Sequence, residues 1–171
     1  MELVGTQGIR SLTHARVDLE AGIPRGSTSN HFRTRAALLS GVAAWIAEQE
    51  TRDMGALVLR PFDDLDGFID LFTAVIELLT GPYAVRTRAR YALFLEAGSD
   101  PELFAPLRAQ REGLEAWSRS LLVTLGAKNP DIAVHAFMAF GDGIVLHRLS
   151  VDPDAPVRES VAVAVRGCLS A

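Results

Sequence analysis

The amino-acid sequence predicts an all-α fold. Apolar residues recur at helical spacing along most of the chain, whereas the strict alternation that is typical of strands is rare. Glycine, proline and capping residues divide the chain into segments of helical length. Of the 171 residues, 49% are hydrophobic and 22% are charged, so the chain has enough apolar side chains to form a core.

Three short helices are predicted at the N-terminus. The first is the stretch "MELVGTQ", which is closed by Gly8. The second begins at Thr13, whose hydroxyl can cap it, and ends before Gly22, since glycine readily takes the left-handed conformation of a helix stop. The third starts with Pro24, a residue that suits the first turn of a helix, and ends near Phe32.

A longer fourth helix is predicted after Thr34, and five more helices follow it. Apolar spacing places one set of residues on the inner side of the fourth helix: Ala37, Leu38, Val42, Trp45 and Ile46. The five later helices are expected to begin near Asp63, Tyr83, Asp100 (with a restart at Pro106), Pro130 and Ala155.

Charge is distributed unevenly between two predicted domains, a head at residues 1–52 and a body at residues 62–171. Residues 1–40 carry five arginines and three acidic residues, which gives +2. The rest of the chain carries twelve basic and eighteen acidic residues, which gives −6 and a total of −4. A basic head on an acidic body is compatible with an anionic partner at the head alone.

The second and third helices, joined by a tight turn, match a helix-turn-helix motif. In this motif the second helix lies in the DNA major groove, which favours small or hydrogen-bonding side chains on that helix. Arginine can pair with guanine and asparagine with adenine, and glycine lets the backbone approach a phosphate. The residues of this kind are Arg25, Gly26, Ser27, Thr28, Ser29, Asn30 and His31. The alternative interpretation is a polar surface helix of an unrelated bundle.

The stretch "GIRSLTHARVDLEAGIPRGSTSNHFRTRAALL", residues 8–39, resembles the DNA-binding head of the TetR family of transcriptional regulators. The similarity rests on the "LT" helix start, the "AGI" turn, "PRGS", and "HF" followed by "TRAALL". The body is similar more loosely, through "LGAKNPD" and "GDGIVLHRLS" near the penultimate helix. The resemblance implies a repressor that binds a palindromic operator in double-stranded DNA as a homodimer. It also implies that a small apolar effector, bound in the helical C-terminal domain, controls operator binding.

The resemblance also implies roles for residues outside the third helix. Thr13 and His14 fall beside the phosphate backbone at the start of the first motif helix. Thr34 and Arg35 fall where the family contacts phosphate with a capping residue and a basic residue. Phosphate contacts of this kind position the protein, whereas the recognition helix specifies the sequence.

Four features depart from the family pattern. The first helix is shorter than the family's. Asp18 stands where the family usually has a small residue, and its carboxylate is expected to face amides at the start of the recognition helix. Ser29 stands where the family often has tyrosine, and Arg33 where it often has proline. The last two changes alter DNA contacts, so the operator does not follow from relatives.

The stretch "VHAFMAFGDGIVLHRL" is apolar on more than one face, so its helix is expected to be buried on two sides. Ala139 and Gly143, four residues apart, would allow another helix to approach closely. We expect the two C-terminal helices to form a four-helix interface with their copies in a second subunit. The predicted interface residues are Ala139, Gly143, Leu146, Val157, Val161 and Val165. The alternative is that both faces pack within one subunit.

Aromatic residues are frequent in the body, and at helical spacing such residues form either a core or the wall of a ligand cavity. Tyr91 and Trp117 also carry polar groups, which makes them the best wall candidates. The predicted ligand-binding residues are Phe68, Phe72, Tyr91, Phe94, Trp117 and Phe137. Nearby, Arg86, Arg88 and Arg90 are interpreted as a solvated face; in the alternative, Arg86 and Arg90 brace the head through acidic partners.

No arrangement typical of an enzyme is found. The four histidines lack metal-ligand spacing, and no glycine-rich phosphate loop is present. We therefore predict no catalytic residue, no metal and no cofactor, and we interpret Cys168 as a small buried residue. Two other function classes stay open: a helical interaction or ligand-binding module with a degenerate head, and, with less support, a helical-bundle enzyme.

No membrane partner is expected. The longest apolar stretch, around "AFMAFGDGIVL", contains Asp142 and is judged too short to span a bilayer. No apolar run follows a basic N-terminal start, as it would in a signal peptide. With a single cysteine, the sequence fits a reducing compartment, and a cytoplasmic location is expected.

Overall fold

The structure, a computed structural model, describes residues 1–58, 62–96 and 104–170. In these ranges all regular structure is helical, which confirms the all-α class. The helices are α1 (Glu2–Gln7), a 3-10 turn (Ile9–Ser11), α2 (His14–Glu20), α3 (Ser27–His31), α4 (Arg35–Val58), α5 (Leu65–Thr80), α6 (Ala84–Glu96), α7 (Ala105–Thr124), α8 (Pro130–Ser150) and α9 (Val157–Ser170). The helix start expected at Asp100 lies outside the described residues.

The chain forms two compact units, each built from two segments. The first combines Met1–Arg52 with Ala84–Gln110, and the second combines Asp53–Tyr83 with Arg111–Ala171. The units group segments by packing, so the predicted functional boundary between residues 1–52 and 62–171 stays a prediction.

One face of α4 supplies much of the core of the first unit. Leu39, Ala43 and Ile46 are 4%, 0% and 0% exposed, and their spacing of four and three residues puts them on one side of the helix. Trp45 was expected on this side but is 43% exposed. Trp45 lies two residues after Ala43 and one residue before Ile46. Because each residue turns the helix by about 100°, Trp45 points away from the face that these two residues share. Other members of this core are Val4, Leu12, Leu38, Leu93, Phe104 and Leu107.

Helices α1 and α6 meet at a glycine. A Cβ atom at Gly5 would lie 2.1 Å from the carbonyl oxygen of Val85, which is far inside van der Waals contact. Only a residue without a side chain lets the two backbones approach this closely. Helix α6 therefore packs directly on the short first helix.

Two arginines of α6 point into the first unit. Arg86 and Arg90 are 9% and 6% exposed, and Nη1 of Arg90 lies 3.4 Å from Oε2 of Glu50 on α4. The interpretation as a solvated face was wrong for these two residues, and the alternative of an acidic partner is confirmed for Arg90. Arg88, which lies on the other side of α6, is exposed.

The second unit packs α5 and α8 against α9. Its buried side chains include Ile69 and Ile76 of α5, Val134 of α8 and Cys168 of α9. Cys168 is 6% exposed, as predicted for a small buried residue, and burial raises the pKa of its thiol. Helix α5 is capped by Asp64, one residue later than expected, because the Oδ1 atom of Asp64 accepts from the amide of Gly67 at 2.8 Å.

The apolar stretch around Asp142 lies within helix α8, which is 21 residues long and therefore longer than the stretch alone. By length and composition, α8 is the one described helix that could cross a membrane by itself, and core helices of soluble proteins pass the same test. Asp142 in its middle forms two hydrogen bonds with Arg111 of α7, with N–O distances of 3.0 and 2.6 Å. A paired carboxylate at this point agrees better with a helix packed in protein than with one in lipid.

Candidate nucleic-acid interface and ligand-binding core

Helices α2 and α3 form the predicted helix-turn-helix. Gly22 has φ +63°, and the amide of Gly22 donates to the carbonyl of Leu19 while the amide of Ile23 donates to that of Asp18. These two bonds form a Schellman motif, which ends α2 and reverses the chain. Ile23, the residue after this reversal, is 41% exposed, so it does not fill the gap between the two helices.

Helix α3 is shorter than predicted, because it begins at Ser27 and not at Pro24. Gly26 has φ +89°, a left-handed conformation that interrupts the helix before Ser27. Gly26 was expected to allow close approach of a phosphate, and its left-handed conformation was not predicted. Only five residues are left in the predicted recognition helix.

The side chain of Asp18 reaches the start of α3, as expected. Its Oδ2 atom accepts from the amide of Gly26 at 2.7 Å, and Oδ1 accepts from the amide and the hydroxyl of Thr28 at 2.8 and 2.5 Å. Asp18 and Thr28 are 2% and 4% exposed. The hydrogen bonds from Thr28 hold the pKa of the Asp18 carboxyl below its usual value, so it is charged at neutral pH.

The end of α3 is held by His14. The Nε2 atom of His14 lies 2.6 Å from the carbonyl oxygen of Phe32, which is the residue after α3. Phe32 in turn packs against Gly41 of α4, where a Cβ atom would lie 2.4 Å from its ring. His14 was placed beside DNA phosphate by resemblance, and its Nε2 atom is engaged within the head.

The outer face of α3 carries polar side chains. Arg25, Ser29, Asn30 and His31 are exposed, whereas Gly26 and Ser27 are partly buried. The hydroxyls of Ser27 and Ser29 donate to the carbonyls of Pro24 and Gly26 at 2.7 and 2.9 Å. Within the described ranges, the side chains of Arg25, Asn30 and His31 make no hydrogen bond.

The three other residues predicted near phosphate lie at helix starts. The hydroxyl of Thr13 accepts from an α2 amide at 3.3 Å, and that of Thr34 accepts from an α4 amide at 3.0 Å, so both act as the predicted caps. Arg35 donates to the carbonyls of Ile9 and Leu12 and so ties α4 to the 3-10 turn. This structural role of Arg35 was not predicted from the sequence.

Three of the six residues predicted to bind a ligand lie together in the second unit. The ring centroid of Phe137 is 5.7 Å from that of Phe68 and 4.3 Å from that of Phe72. Phe62, which was not predicted, joins them at 5.4 Å from Phe68. Gly141 on α8 makes room for the Phe72 ring, which lies 3.3 Å from the place of a Cβ atom.

The other three predicted ligand residues are placed differently. Tyr91 and Phe94 belong to α6 in the first unit, where the Arg90 guanidinium lies 4.9 Å from the centre of the Tyr91 ring. Phe94 packs against the core of that unit. Trp117 is partly buried on α7 in the second unit.

The predicted interface residues divide into an exposed and a buried set. Five residues of α8 at intervals of four and three form an exposed face, which we call the α8 stripe: Ile132, Ala136, Ala139, Gly143 and Leu146. Ile132 and Leu146 at its ends are 56% and 42% exposed. In contrast, Val157, Val161 and Val165 are 5%, 1% and 0% exposed, because their side of α9 is covered within the same unit. The valine face is thus occupied inside one subunit.

Among the described residues, no group of three or more His, Cys, Asp or Glu side chains is arranged to hold a metal ion.

A family profile described as "Tetracyclin repressor-like, C-terminal domain" matches residues 63–171, which is more than half of the chain. The chain belongs to the TetR family. Proteins of this family are transcription regulators and not enzymes, which confirms the sequence analysis on both points. No curated protein sequence matches the chain.

Two solved structures are similar to this TetR-family protein over nearly its whole length. The multidrug binding protein EbrR in complex with ethidium has a TM-score of 0.70 and 28% identity, over 97% of this chain and 91% of that chain. EbrR in complex with imidazole has a TM-score of 0.67 and 27% identity, over 98% of this chain and 84% of that chain.

Proposed function

We propose that this TetR-family protein is a DNA-binding repressor whose two subunits read a palindromic operator and whose operator binding is controlled by a small apolar effector. One observation carries the proposal: Arg25, in the turn just before α3, and Asn30 and His31 on α3 are exposed, with no hydrogen bond from these side chains to the described part of the chain. Their donors and acceptors are therefore available for base edges in a major groove. A cytoplasmic location goes with this function.

The charge of the head supports DNA as the partner. Residues 1–40 carry a formal charge of +2 on a chain of −4. Arg10, Arg25 and Arg33 are exposed and make no side-chain hydrogen bond within the described ranges. Cations that are free of internal partners can contact phosphates and release counterions. Thr13, Thr34 and Arg35 remain proposed phosphate contacts, although each also has a structural hydrogen bond.

The α8 stripe supports a homodimer. Small residues at Ala139 and Gly143 lie between the exposed Ile132 and Leu146, and a Cβ atom at Gly143 would meet no atom within 4 Å. Such a face allows two copies of α8 to approach closely around a two-fold axis. The interface would not include the side chains of Val157, Val161 and Val165 directly. These side chains are buried in their own subunit and would support the interface only through the packing of that subunit.

The Phe68–Phe72–Phe137 cluster supports an apolar, aromatic effector. Phe68 and Phe137 are each 1% exposed and Phe72 is partly buried, and aromatic rings of this kind favour stacking and edge contacts with another flat ring system. The similar protein EbrR was solved with ethidium and with imidazole, both of which contain aromatic rings. Tyr91, Phe94 and Trp117 remain proposed contacts, and the cluster in the second unit is the stronger part of the assignment.

Selection of bound sequences from random DNA duplexes tests this function. We expect enrichment of an inverted repeat whose half-site centres lie about one helical turn apart, or a multiple of it. Affinity for the selected site should fall steeply as salt rises, because phosphate contacts release counterions. Failure to enrich any sequence, combined with no salt-dependent duplex binding, would instead support a module with a degenerate head.

A further inference from the structure

The recognition helix α3 cannot be stable by its own local interactions. It has five residues, whereas isolated helices shorter than about 12 residues are marginal in water. Its N-cap residue is Gly26, which has no side chain to accept from the first turn. The position of α3 must therefore be set by side chains from elsewhere in the head.

A side chain of helix α2 caps the start of α3. Both carboxylate oxygens of Asp18 are used at the start of α3, on the amides of Gly26 and Thr28 and on the Thr28 hydroxyl. The main-chain carbonyl of Asp18 also accepts from the amide of Ile23 at 3.0 Å. One residue therefore fixes both the end of α2 and the beginning of α3.

The other end of α3 is tied to the same face of α2. His14 and Asp18 are four residues apart, so their side chains project from one side of the helix. His14 holds the carbonyl of Phe32 at 2.6 Å. A carboxylate at the N-terminal end of α3 and a donor at its C-terminal end both match the direction of its dipole.

We infer that His14 and Asp18 form a two-point clasp that positions the recognition helix, so that the base preference of the proposed repressor depends on two residues that need not touch a base. The inference rests on the proposed DNA-binding function. Ordinary electrostatics makes the opposite prediction for Asp18, since removing a negative charge from a DNA-binding head should raise affinity for a polyanion.

The test compares Asp18→Asn with Glu20→Gln, which removes an exposed carboxylate from the same helix. Affinities are measured for the selected operator and for a random duplex at one salt concentration, with folding verified by circular dichroism. We expect Asp18→Asn to weaken operator binding by about tenfold and random-duplex binding by less than about twofold. Glu20→Gln should leave both unchanged or slightly stronger.

The second arm of the test uses His14. His14→Ala removes the donor to Phe32, whereas His14→Gln keeps an NH2 donor at similar reach. We expect about a threefold to tenfold loss of operator affinity for His14→Ala and substantial recovery for His14→Gln. If Asp18→Asn does not fold, Thr28→Val and Thr28→Ser replace it, because valine lacks the hydroxyl that serine retains.

Equal losses on operator and random duplex, or a gain for Asp18→Asn like that for Glu20→Gln, would overturn the inference. Hydrogen exchange of the free protein gives a readout that does not involve DNA: the amides of Thr28 and Phe32 should exchange faster in Asp18→Asn and His14→Ala, respectively. Unchanged exchange also overturns the clasp. If the parent protein binds no duplex, the proposed function fails, and exchange alone decides the clasp.

Discussion

Glu50 of α4 and Arg90 of α6 form an ion pair that is almost completely removed from solvent. The carboxylate and guanidinium atoms are 3.4 Å apart, and the two side chains are 3% and 7% exposed. A buried pair of this kind contributes little net stability compared with apolar residues in the same place. Removing one partner is nevertheless costly, because it leaves the other charge buried in the protein interior without compensation. The pair therefore makes the register of α4 on α6 sensitive to a single substitution.

Glu50→Gln should lower the free energy of unfolding by about 3 kcal/mol, because it leaves the Arg90 guanidinium buried without its anion. The matched control is Glu48→Gln. Glu48 lies two residues before Glu50 on the same helix, and the substitution breaks its exposed ion pair with Arg52. That control should cost about 0.5 kcal/mol or less. Urea unfolding followed by circular dichroism measures both, and equal effects would contradict the role assigned to burial.

Gly5→Ala should destabilise the first unit by roughly 1–3 kcal/mol, since the new methyl group would overlap the carbonyl of Val85. Gly113→Ala is the control, because a Cβ atom there meets nothing within 4 Å and alanine is the better helix former. The two melting temperatures should therefore move in opposite directions. A neutral Gly5→Ala would mean that α1 and α6 separate at little cost.

Acid should affect the parent protein and Asp18→Asn differently. Since the folded-state pKa of Asp18 lies below its unfolded value of 3.8, its contribution to stability is complete above that pH. The contribution disappears as the pH falls through the lower folded pKa, because protonation breaks the acceptor bonds to Gly26 and Thr28. Urea titrations between neutral and strongly acidic pH should show a shallower loss of stability for Asp18→Asn, and parallel curves would count against this carboxylate.

Leu146→Asp should dissociate the proposed dimer, because it places a charge at one end of the apolar α8 stripe, where the interface would remove it from water. Val123→Asp is the control, since Val123 is 48% exposed on α7 and lies outside the α8 stripe. Sedimentation velocity should show monomers for the first variant and dimers for the second. A parent protein that is itself monomeric would remove the basis for a palindromic operator.

Asn30→Ala should change base preference at one position of each half-site, with about 1–3 kcal/mol less discrimination. Arg35→Ala should weaken binding to all sequences alike and also lower the melting temperature, because Arg35 holds the carbonyls of Ile9 and Leu12. Repeating the duplex selection with each variant separates the two effects. An unchanged selected site for Asn30→Ala contradicts its assignment to base contact.

Local signals in the sequence predicted most helix ends correctly. Gly8 and Gly22 have the positive φ of helix stops, and the hydroxyls of Thr13 and Thr34 cap α2 and α4. The acceptor role of Asp18 was also predictable, because a carboxylate next to a helix start has few other partners in a small core.

Packing between distant segments was not predictable in the same way. The spacing of Trp45 and Ile46 is compatible with either side chain facing inward, and only the packing around α4 selects Ile46. The partner of Arg90 lies forty residues away on another helix, and the burial of the α9 valines depends on neighbours that no local pattern specifies. For the same reason Phe62 could not be assigned to the aromatic cluster from its sequence position.

The side chains in and beside α3 that face solvent differ from those that hold α3 in place, and this difference has a consequence for changing the target site of the proposed regulator. Arg25 and Asn30 point outward without internal bonds, whereas Thr28 faces the clasp on α2. Substitutions of Arg25, just before α3, and of Asn30, on α3, can therefore change the base preference of the proposed repressor without loosening α3. A library restricted to these outward positions is a practical starting point for engineering a regulator with a new target site.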